Sequence, residues 1–383
     1  MTTCQMARLS VVLLLAGAVT PAETQSFRTA DSIVESGIVR GIYPGAVLVI
    51  GQGDRVLHRR GFGHLTWDPR SPVPKPDSTL WDLASLTKVV ATTAAVMRLV
   101  EDRRVELDTP VTRYLPRFQG GTRAKVTVRM LLDHTSGLPS YREFFREAPD
   151  RDSAITLLYA TALRTPPGRT TVYSDLNFML LGLLVEAVSG ESLGDFARRA
   201  VFAPAGMAQT GFQPRREPAR TAPTGLWRGT AICCEVNDQN AVRLGGIAGH
   251  AGVFGTGDDL ARYLRLWLGE GSIDGRNVFQ AATVHTFLSA ADRQDARYLG
   301  WERPPARGRD DSAYGELPSP ATFGHTGWTG TLVWADPGRK LFVVFLTNRS
   351  FAPRTGHSIR QLRAVRGALA DSVVASVDRE RAR

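Results

Sequence analysis

Five consecutive apolar residues, Ala46-Val47-Leu48-Val49-Ile50, predict a buried strand. Gln52-Gly53-Asp54 reads as a turn, and Arg55 to Phe62 as the returning strand. Pro72, Pro74 and Pro76 mark a surface connection. The apolar run from Val89 to Val100 predicts a core helix. Further helices are predicted at Val128 to Leu132, with Thr127 as N-cap, at Phe178 to Val188, and at Asp258 to Leu268, with Asp258 as N-cap. Late in the chain, Thr331 to Ala335 and Leu341 to Leu346 flank Asp336-Pro337-Gly338-Arg339, a hairpin pattern. Ile359, Leu362, Val365, Leu369, Val373 and Val377 recur at spacings of three and four and predict a terminal amphipathic helix.

Strands at both ends with helices between them predict an α+β fold. Both chain ends contribute to one antiparallel sheet with flanking helices, and the middle forms a mostly helical part. The expected single domain spans 27–383, with its sheet part at about 27–80 and 295–383 and its helical part at about 85–290. No linker or internal repeat interrupts it.

Composition narrows the function classes. The chain has 383 residues, 43% hydrophobic and 22% charged, as expected of a globular protein. At the N-terminus, Arg8 precedes the apolar stretch Leu9 to Val19, and small residues offer cleavage after Ala18 or Ala22. Residues 1–22 therefore read as an export signal. That stretch is too short for a membrane span, which needs about 20 apolar residues. The expected product is periplasmic or secreted, monomeric, and without a membrane span after cleavage. Lys and Arg number 47 against 37 Asp and Glu, a net charge of +10. The arginines are scattered and not interleaved with aromatics, so no nucleic-acid partner is expected. Cys233 and Cys234 are adjacent and imply no disulfide framework. Further ligands at zinc spacing are missing, so neither a metal nor another cofactor is expected.

The candidate chemistry begins at Ser85-Leu86-Thr87-Lys88. Residues three apart share a helix face, so the Lys88 amine can reach the Ser85 hydroxyl. A serine hydroxyl is a weak nucleophile until a neighbour takes its proton, and burial can lower a lysine pKa far enough for that task. Lysine is scarce, with only Lys75, Lys88, Lys125 and Lys340 in the chain. One placed in an apolar helix points to a need for a titratable amine.

Three further stretches accompany this tetrad: Leu131-Leu132-Asp133-His134-Thr135-Ser136-Gly137-Leu138-Pro139, Tyr173-Ser174-Asp175-Leu176-Asn177-Phe178 and Gly324-His325-Thr326-Gly327-Trp328-Thr329-Gly330. Together the four resemble the serine β-lactamase family, which also holds D-alanyl-D-alanine carboxypeptidases and esterases, in its branch with class C β-lactamase architecture. The resemblance runs from about Val34 to Val374. It implies a β-lactamase/transpeptidase-like fold, with Ser85 as the nucleophile that forms an acyl-enzyme, Lys88 as the partner that removes its proton, and Tyr173 as a proton shuttle. The neighbouring ammonium is expected to lower the Tyr173 pKa and make it a better base. The resemblance further implies an oxyanion hole from the backbone N–H groups of Ser85 and Trp328, and a substrate-binding edge of Asp175, His325, Thr326 and Gly327. There the glycine lets substrate lie against the strand. His325 is expected to titrate near neutral pH, so that attraction for a substrate carboxylate weakens as pH rises. His134 and Ser136 take structural roles.

Two departures bear on substrate. Asp175 stands where β-lactamases have asparagine; an ionised carboxylate cannot donate to a substrate carbonyl, and its role is either structural or to hold Lys88 protonated. Ala251, in Gly249-His250-Ala251-Gly252-Val253-Phe254, stands where class C enzymes place a pocket tyrosine. Both count against an efficient β-lactamase. The expected activity is cleavage of D-alanyl peptide amides or small esters, with a small-molecule or peptidoglycan-derived peptide as substrate. The β-lactamase reading shares the same catalytic residues. A catalytically silent muropeptide-binding protein is the rival of another class, although binding alone requires no activated serine.

Overall fold

The computed structural model describes residues 27–214, 216–227, 230–290, 297–305, 312–351 and 359–382. The export signal expected at residues 1–22 lies outside them. The principal helices are α1 (Arg28–Val39), α2 (Ala94–Glu101), α3 (Asp175–Ser189), α4 (Gly257–Leu268) and α5 (Ile359–Arg381). The main strands are β1 (Gly45–Gln52), β2 (Arg55–Gly63), β3 (Phe323–Thr326), β4 (Leu332–Asp336) and β5 (Leu341–Thr347).

These strands form one five-stranded sheet in the order β3-β4-β5-β1-β2, antiparallel throughout. β1 pairs with β5 from Ala46 opposite Thr347 to Gln52 opposite Leu341, so the two ends of the chain share one sheet as expected. The continuous apolar run of β1 follows from burial on both faces. Ala46, Leu48 and Ile50 join Trp334, Val343, Phe345 and the stripe of α5 in one core. Val47 and Val49 face the opposite way, into a larger core shared with α2, α3 and α4. The period of two along the strand thus divides the interior.

Several local expectations hold. Gly53 takes the turn between β1 and β2 with φ 61°, where a side chain other than hydrogen would be strained. Thr127 caps Val128–Leu132 through the Met130 N–H. The hairpin of β4 and β5 pairs Leu332 with Phe345 and Asp336 with Leu341.

Others are corrected. The cap of α4 is Thr256, whose hydroxyl accepts from the Asp259 N–H; Asp258 lies inside the first turn and pairs with Arg59 at 2.5 Å. The helix expected from Val89 begins as a π-helix, Lys88–Thr93, and becomes α-helical only at Ala94. α1 went unread, although Ala30, Val34 and Gly37 mark its buried face. The middle of the chain is also not purely helical. Trp81–Asp82, Val253–Gly255 and Gly211–Phe212 form a small antiparallel sheet, with Asp82 opposite Phe254. This sheet brings the Gly249–Gly252 stretch beside Ser85. Among the described residues no single helix is long and apolar enough to cross a membrane.

Candidate active site

Ser85 sits in a turn immediately after the Trp81–Asp82 strand. The preceding residue, Ala84, is left-handed at φ 47°, a conformation that costs an alanine roughly 1–2 kcal/mol. Asp82 holds the strained turn: Oδ1 accepts from the Ala84 N–H at 2.8 Å and Oδ2 from the Asn237 N–H at 2.8 Å. Burial pushes the Asp82 pKa up to about 6. Strain of this kind, fixed by surrounding bonds, is what a precisely presented side chain requires.

Lys88 is fully buried. Its Nζ donates to Ser85 Oγ at 2.9 Å and to the His250 carbonyl at 3.0 Å, and pairs with Asp175 Oδ1 at 2.8 Å. The i, i+3 reach expected from the tetrad is therefore present. Its electrostatics are not as expected. Burial works against the ammonium, but Asp175 and Tyr173 outweigh it and hold the Lys88 pKa above the ordinary lysine value. The resting lysine is a cation. Tyr173 also departs from expectation. Burial raises its pKa above 10 even though Lys88 pulls the other way, so the resting side chain is a neutral phenol engaged with both Lys88 and Ser85. The low dielectric of the buried site acts on both groups, and the ion pair determines which of them keeps its charge.

His134 and Ser136 take the structural parts expected of them. His134 Nδ1 accepts from the Ser174 N–H at 3.0 Å, and its ring packs 4.7 Å from that of Tyr173. Ser136 Oγ donates to Asn177 Oδ1 at 2.6 Å, at the start of α3. Together they fix the loop that presents Tyr173.

His325 is placed differently from the expected cleft cation. It is buried, its Nδ1 donates to the Thr326 carbonyl at 2.9 Å, and its ring lies behind Tyr173 at 5.9 Å. Burial pushes its pKa down to about 4. It is neutral across the range in which it was expected to titrate. KM for a carboxylate-bearing substrate should thus be flat in this group between about pH 6 and 8, and steady-state kinetics over that range would show it. The titration should instead appear in stability. The unfolded imidazole titrates near 6.5, so between about pH 4 and 6.5 the unfolded chain holds one more proton than the fold. Stability is then lost as pH falls through that window, by on the order of 3 kcal/mol in all. Denaturant melts at pH 7 and pH 4.5 should show a smaller acid loss in His325→Gln than in the natural chain; an equal loss would remove His325 as the cause.

Gly327 also differs in its reason. A Cβ there would stand 2.1 Å from Thr331 Oγ1 and 2.6 Å from the Leu83 carbonyl, so the close approach it serves is to the protein's own segment leading to Ser85. Thr326 ends β3 beside it.

A cavity of about 550 Å³ opens over Ser85. Tyr173, Asp175, Ala251 and Trp328 line it as expected, together with Tyr141, Phe145, Asn237, Asp238, Gln239 and His250; His325, Thr326 and Gly327 are not in its lining. Burial opposes the charge on Asp238, but His250 at 2.9 Å holds its pKa down at about 2. Among the described residues, no Lys or Arg lines the cavity. Among the described residues, the N–H groups of Ser85 and Trp328 donate no hydrogen bond. No cluster of three or more His, Cys, Asp or Glu among the described residues could hold a metal.

The Trp328 turn is held from outside the cleft by two arginines that sequence reading passed over. Arg349 donates to the Trp328 carbonyl through Nε at 3.1 Å and Nη2 at 2.5 Å, and lies 4.5 Å over its indole. Arg366, on α5, donates to the Gly327 carbonyl at 3.1 Å and the Thr331 carbonyl at 2.8 Å. Asp82, Asp238 and His250 were missed as well. Of these, Arg366 left a readable signal, since it falls on the apolar stripe of α5 between Leu362 and Leu369.

Comparison with known proteins agrees with this geometry. The family model described as Beta-lactamase matches residues 30–368. A putative D-alanyl-D-alanine carboxypeptidase of Escherichia coli (strain K12) is 30% identical over 81% of this chain and 80% of its own length. An N-acetylmuramyl-L-alanine amidase of Bacillus subtilis (strain 168) is 31% identical over 86% of this chain and 82% of its own. Among solved structures, a penicillin-binding protein homolog from Caulobacter crescentus superposes with a TM-score of 0.72 at 22% identity, covering 92% of this chain and 98% of that one. The fold is β-lactamase/transpeptidase-like, as the motifs implied. With a family match spanning residues 30–368, the chain belongs to the beta-lactamase family of hydrolases.

Proposed function

We propose that the chain is an exported serine acyl-hydrolase that forms an acyl-enzyme on Ser85. The observation that carries this reading is the Ser85 hydroxyl 2.9 Å from a buried lysine that is itself paired with Asp175 at 2.8 Å. A structural serine has no need of a buried cation, which is costly to desolvate. Unbonded N–H groups at Ser85 and Trp328 supply an oxyanion hole beside it.

The resting protonation states set the order of events. Lys88 is a cation and can accept the Ser85 proton only as it releases one. Asp175 is the acceptor within reach, so the proton of Ser85 passes to Nζ as a proton of Nζ passes to Asp175. The serine oxygen bonds to the substrate carbonyl carbon, and the oxyanion rests on the two N–H groups. Tyr173, a neutral phenol hydrogen-bonded to Ser85, then donates to the leaving amine or alkoxide and recovers its proton through Lys88. Water hydrolyses the acyl-enzyme by the reverse relay. The third position of the tyrosine motif, aspartate here, thereby becomes the proton sink.

The cleft guides the substrate class. Among the described residues its lining offers carboxylates and amides but no Lys or Arg, so a substrate ending in a free carboxylate finds no guanidinium or ammonium partner among them. This favours an ester or an internal amide of a peptidoglycan-derived compound over removal of a terminal D-alanine. β-Lactams, which carry a carboxylate, rank below both, and Ala251 leaves the cleft without the tyrosine of class C enzymes. The chain is read as a monomer acting in the periplasm or outside the cell.

Intact-protein mass spectrometry after exposure to a fluorescent penicillin and to an activated acyl ester tests the reading, because the adduct reports acylation and its decay reports turnover. The ester adduct should form and decay faster than the penicillin adduct, and an uncharged ester should exceed its carboxylate-bearing match in kcat/KM by about five-fold or more, the worth of one unpaired charge. Rapid cephalosporin turnover would reverse this ranking.

A further inference from the structure

Arg366 is among the largest fully buried side chains of the molecule, with 1% of its surface exposed. A buried cation is costly unless it is paired. Tyr314 and Glu302 support this one only from a distance, and burial draws its pKa down to about 9, so it remains charged at neutral pH. No described carboxylate forms an ion pair with it. Its hydrogen bonds go instead to two backbone carbonyls, those of Gly327 and Thr331.

The choice of carbonyl is informative. The Gly327 carbonyl belongs to the same peptide group as the Trp328 N–H. A charged donor on the oxygen of a peptide polarises it and makes its N–H a stronger donor. The rest of the turn is clamped as well. Arg349 takes the Trp328 carbonyl, Ser350 N–H takes that of Thr329 at 3.2 Å, and Thr347 Oγ1 takes that of Gly330 at 3.1 Å. Thr329 and Thr331 tie the turn to the carbonyls of Asp82 and Leu83, in the segment leading to Ser85, at 2.7 and 3.0 Å. The carbonyls are occupied while the Trp328 N–H is left for the cleft.

We propose that Arg366 is a positioning residue for oxyanion stabilisation: from the far side of the sheet it orients and polarises the Gly327–Trp328 peptide, whose N–H receives the negative charge that develops on the acyl oxygen. This rests on the reading of Ser85 as an acyl-forming nucleophile. Arg366 touches no substrate and transfers no proton, and acts only through that peptide.

The test compares the natural chain with Arg366→Met and Arg366→Lys, with active sites counted by fluorophosphonate burst. An arylboronic acid, which forms a tetrahedral anionic adduct with an active-site serine, probes the oxyanion hole. In Arg366→Met, kcat per active site should fall about 10- to 100-fold, less than or similar to the loss of a whole oxyanion donor, with KM within about two-fold. The inhibition constant of the boronic acid should rise by the same factor as kcat falls. Arg366→Lys should recover part of both, since it keeps the charge but loses the planar, weakly hydrated guanidinium whose Nη2 serves both carbonyls. The acyl-enzyme carbonyl stretch should move to higher frequency in the order natural chain, lysine, methionine. A purely structural arginine would instead lower the melting temperature and the number of active sites while leaving kcat per site, boronate affinity and carbonyl frequency in place, and that result overturns the proposal. Should Arg366→Met fail to fold, the lysine variant decides by the same three readouts. Ser85→Ala separates the two levels. If it still binds boronate like the natural chain, the acyl-serine reading falls and this proposal with it. If it does not, and the Arg366 variants match the natural chain, only the proposal falls.

Discussion

Fluorophosphonate labelling and ester turnover are expected to vanish in Ser85→Ala and to fall nearly as far in Lys88→Arg, by about 10⁴-fold or more. Ser85 is a small side chain in a turn held by backbone bonds and by Asp82, so its hydroxyl can be removed without disturbing the core. The arginine variant is the sharper experiment. Arginine keeps the charge that Lys88 carries at rest but cannot give up a proton at working pH. If Lys88 only stabilised a nearby anion, arginine would serve. If it relays the Ser85 proton toward Asp175, arginine stops the relay. Retained activity in Lys88→Arg would reduce the lysine to an electrostatic support, and undiminished labelling in Ser85→Ala would remove the nucleophile.

The second large effect is expected at Asp175. Asp175→Asn should lower ester turnover about 100-fold, the scale of a lost general acid–base group. It removes the proton sink, and it also leaves Lys88 buried without its counter-charge. Burial then acts on the lysine unopposed by Asp175, so its pKa should fall from its raised position. In the natural chain the raised pKa contributes stability that is present below the ordinary lysine value of about 10.5 and lost only as pH rises through the still higher folded value. The melting temperature of Asp175→Asn should therefore drop most near neutral pH, with the gap to the natural chain narrowing as pH rises and both lysines lose their protons. Equal or greater turnover in Asp175→Asn would mean that the carboxylate merely holds Lys88 protonated and takes no part in the relay.

Much of the fold was legible because its signals are local. The apolar run of β1, the glycine turn after it, the Pro-Gly hairpin and the stripe of α5 each follow from a few neighbouring residues. The same locality explains the errors. Asp258 and Thr256 are both good capping residues two positions apart, and only the backbone path into α4 selects the threonine. α1 has too narrow an apolar face to stand out before the sheet it covers is known. The strand at Val253–Gly255 is three residues long, and it exists because Asp82 and Gly211 lie on either side of its Phe254.

The sequence by itself brought Ser85, Lys88, Tyr173 and Asp175 together. The family resemblance carried by four ordered motifs pointed to Ser85, Lys88 and Tyr173, and to the fold that gathers them. Tertiary structure alone decided the protonation state of each group. Lys88 stays charged because Asp175, on a different helix, lies 2.8 Å from it, and Tyr173 stays neutral because burial outweighs that ammonium. His325 cannot be the expected cation because it is buried behind Tyr173 rather than presented to the cleft. Arg366 reaches the Gly327–Trp328 peptide from the final helix. Burial and through-space charge depend on where distant segments come to rest, and no window of neighbouring residues carries that information.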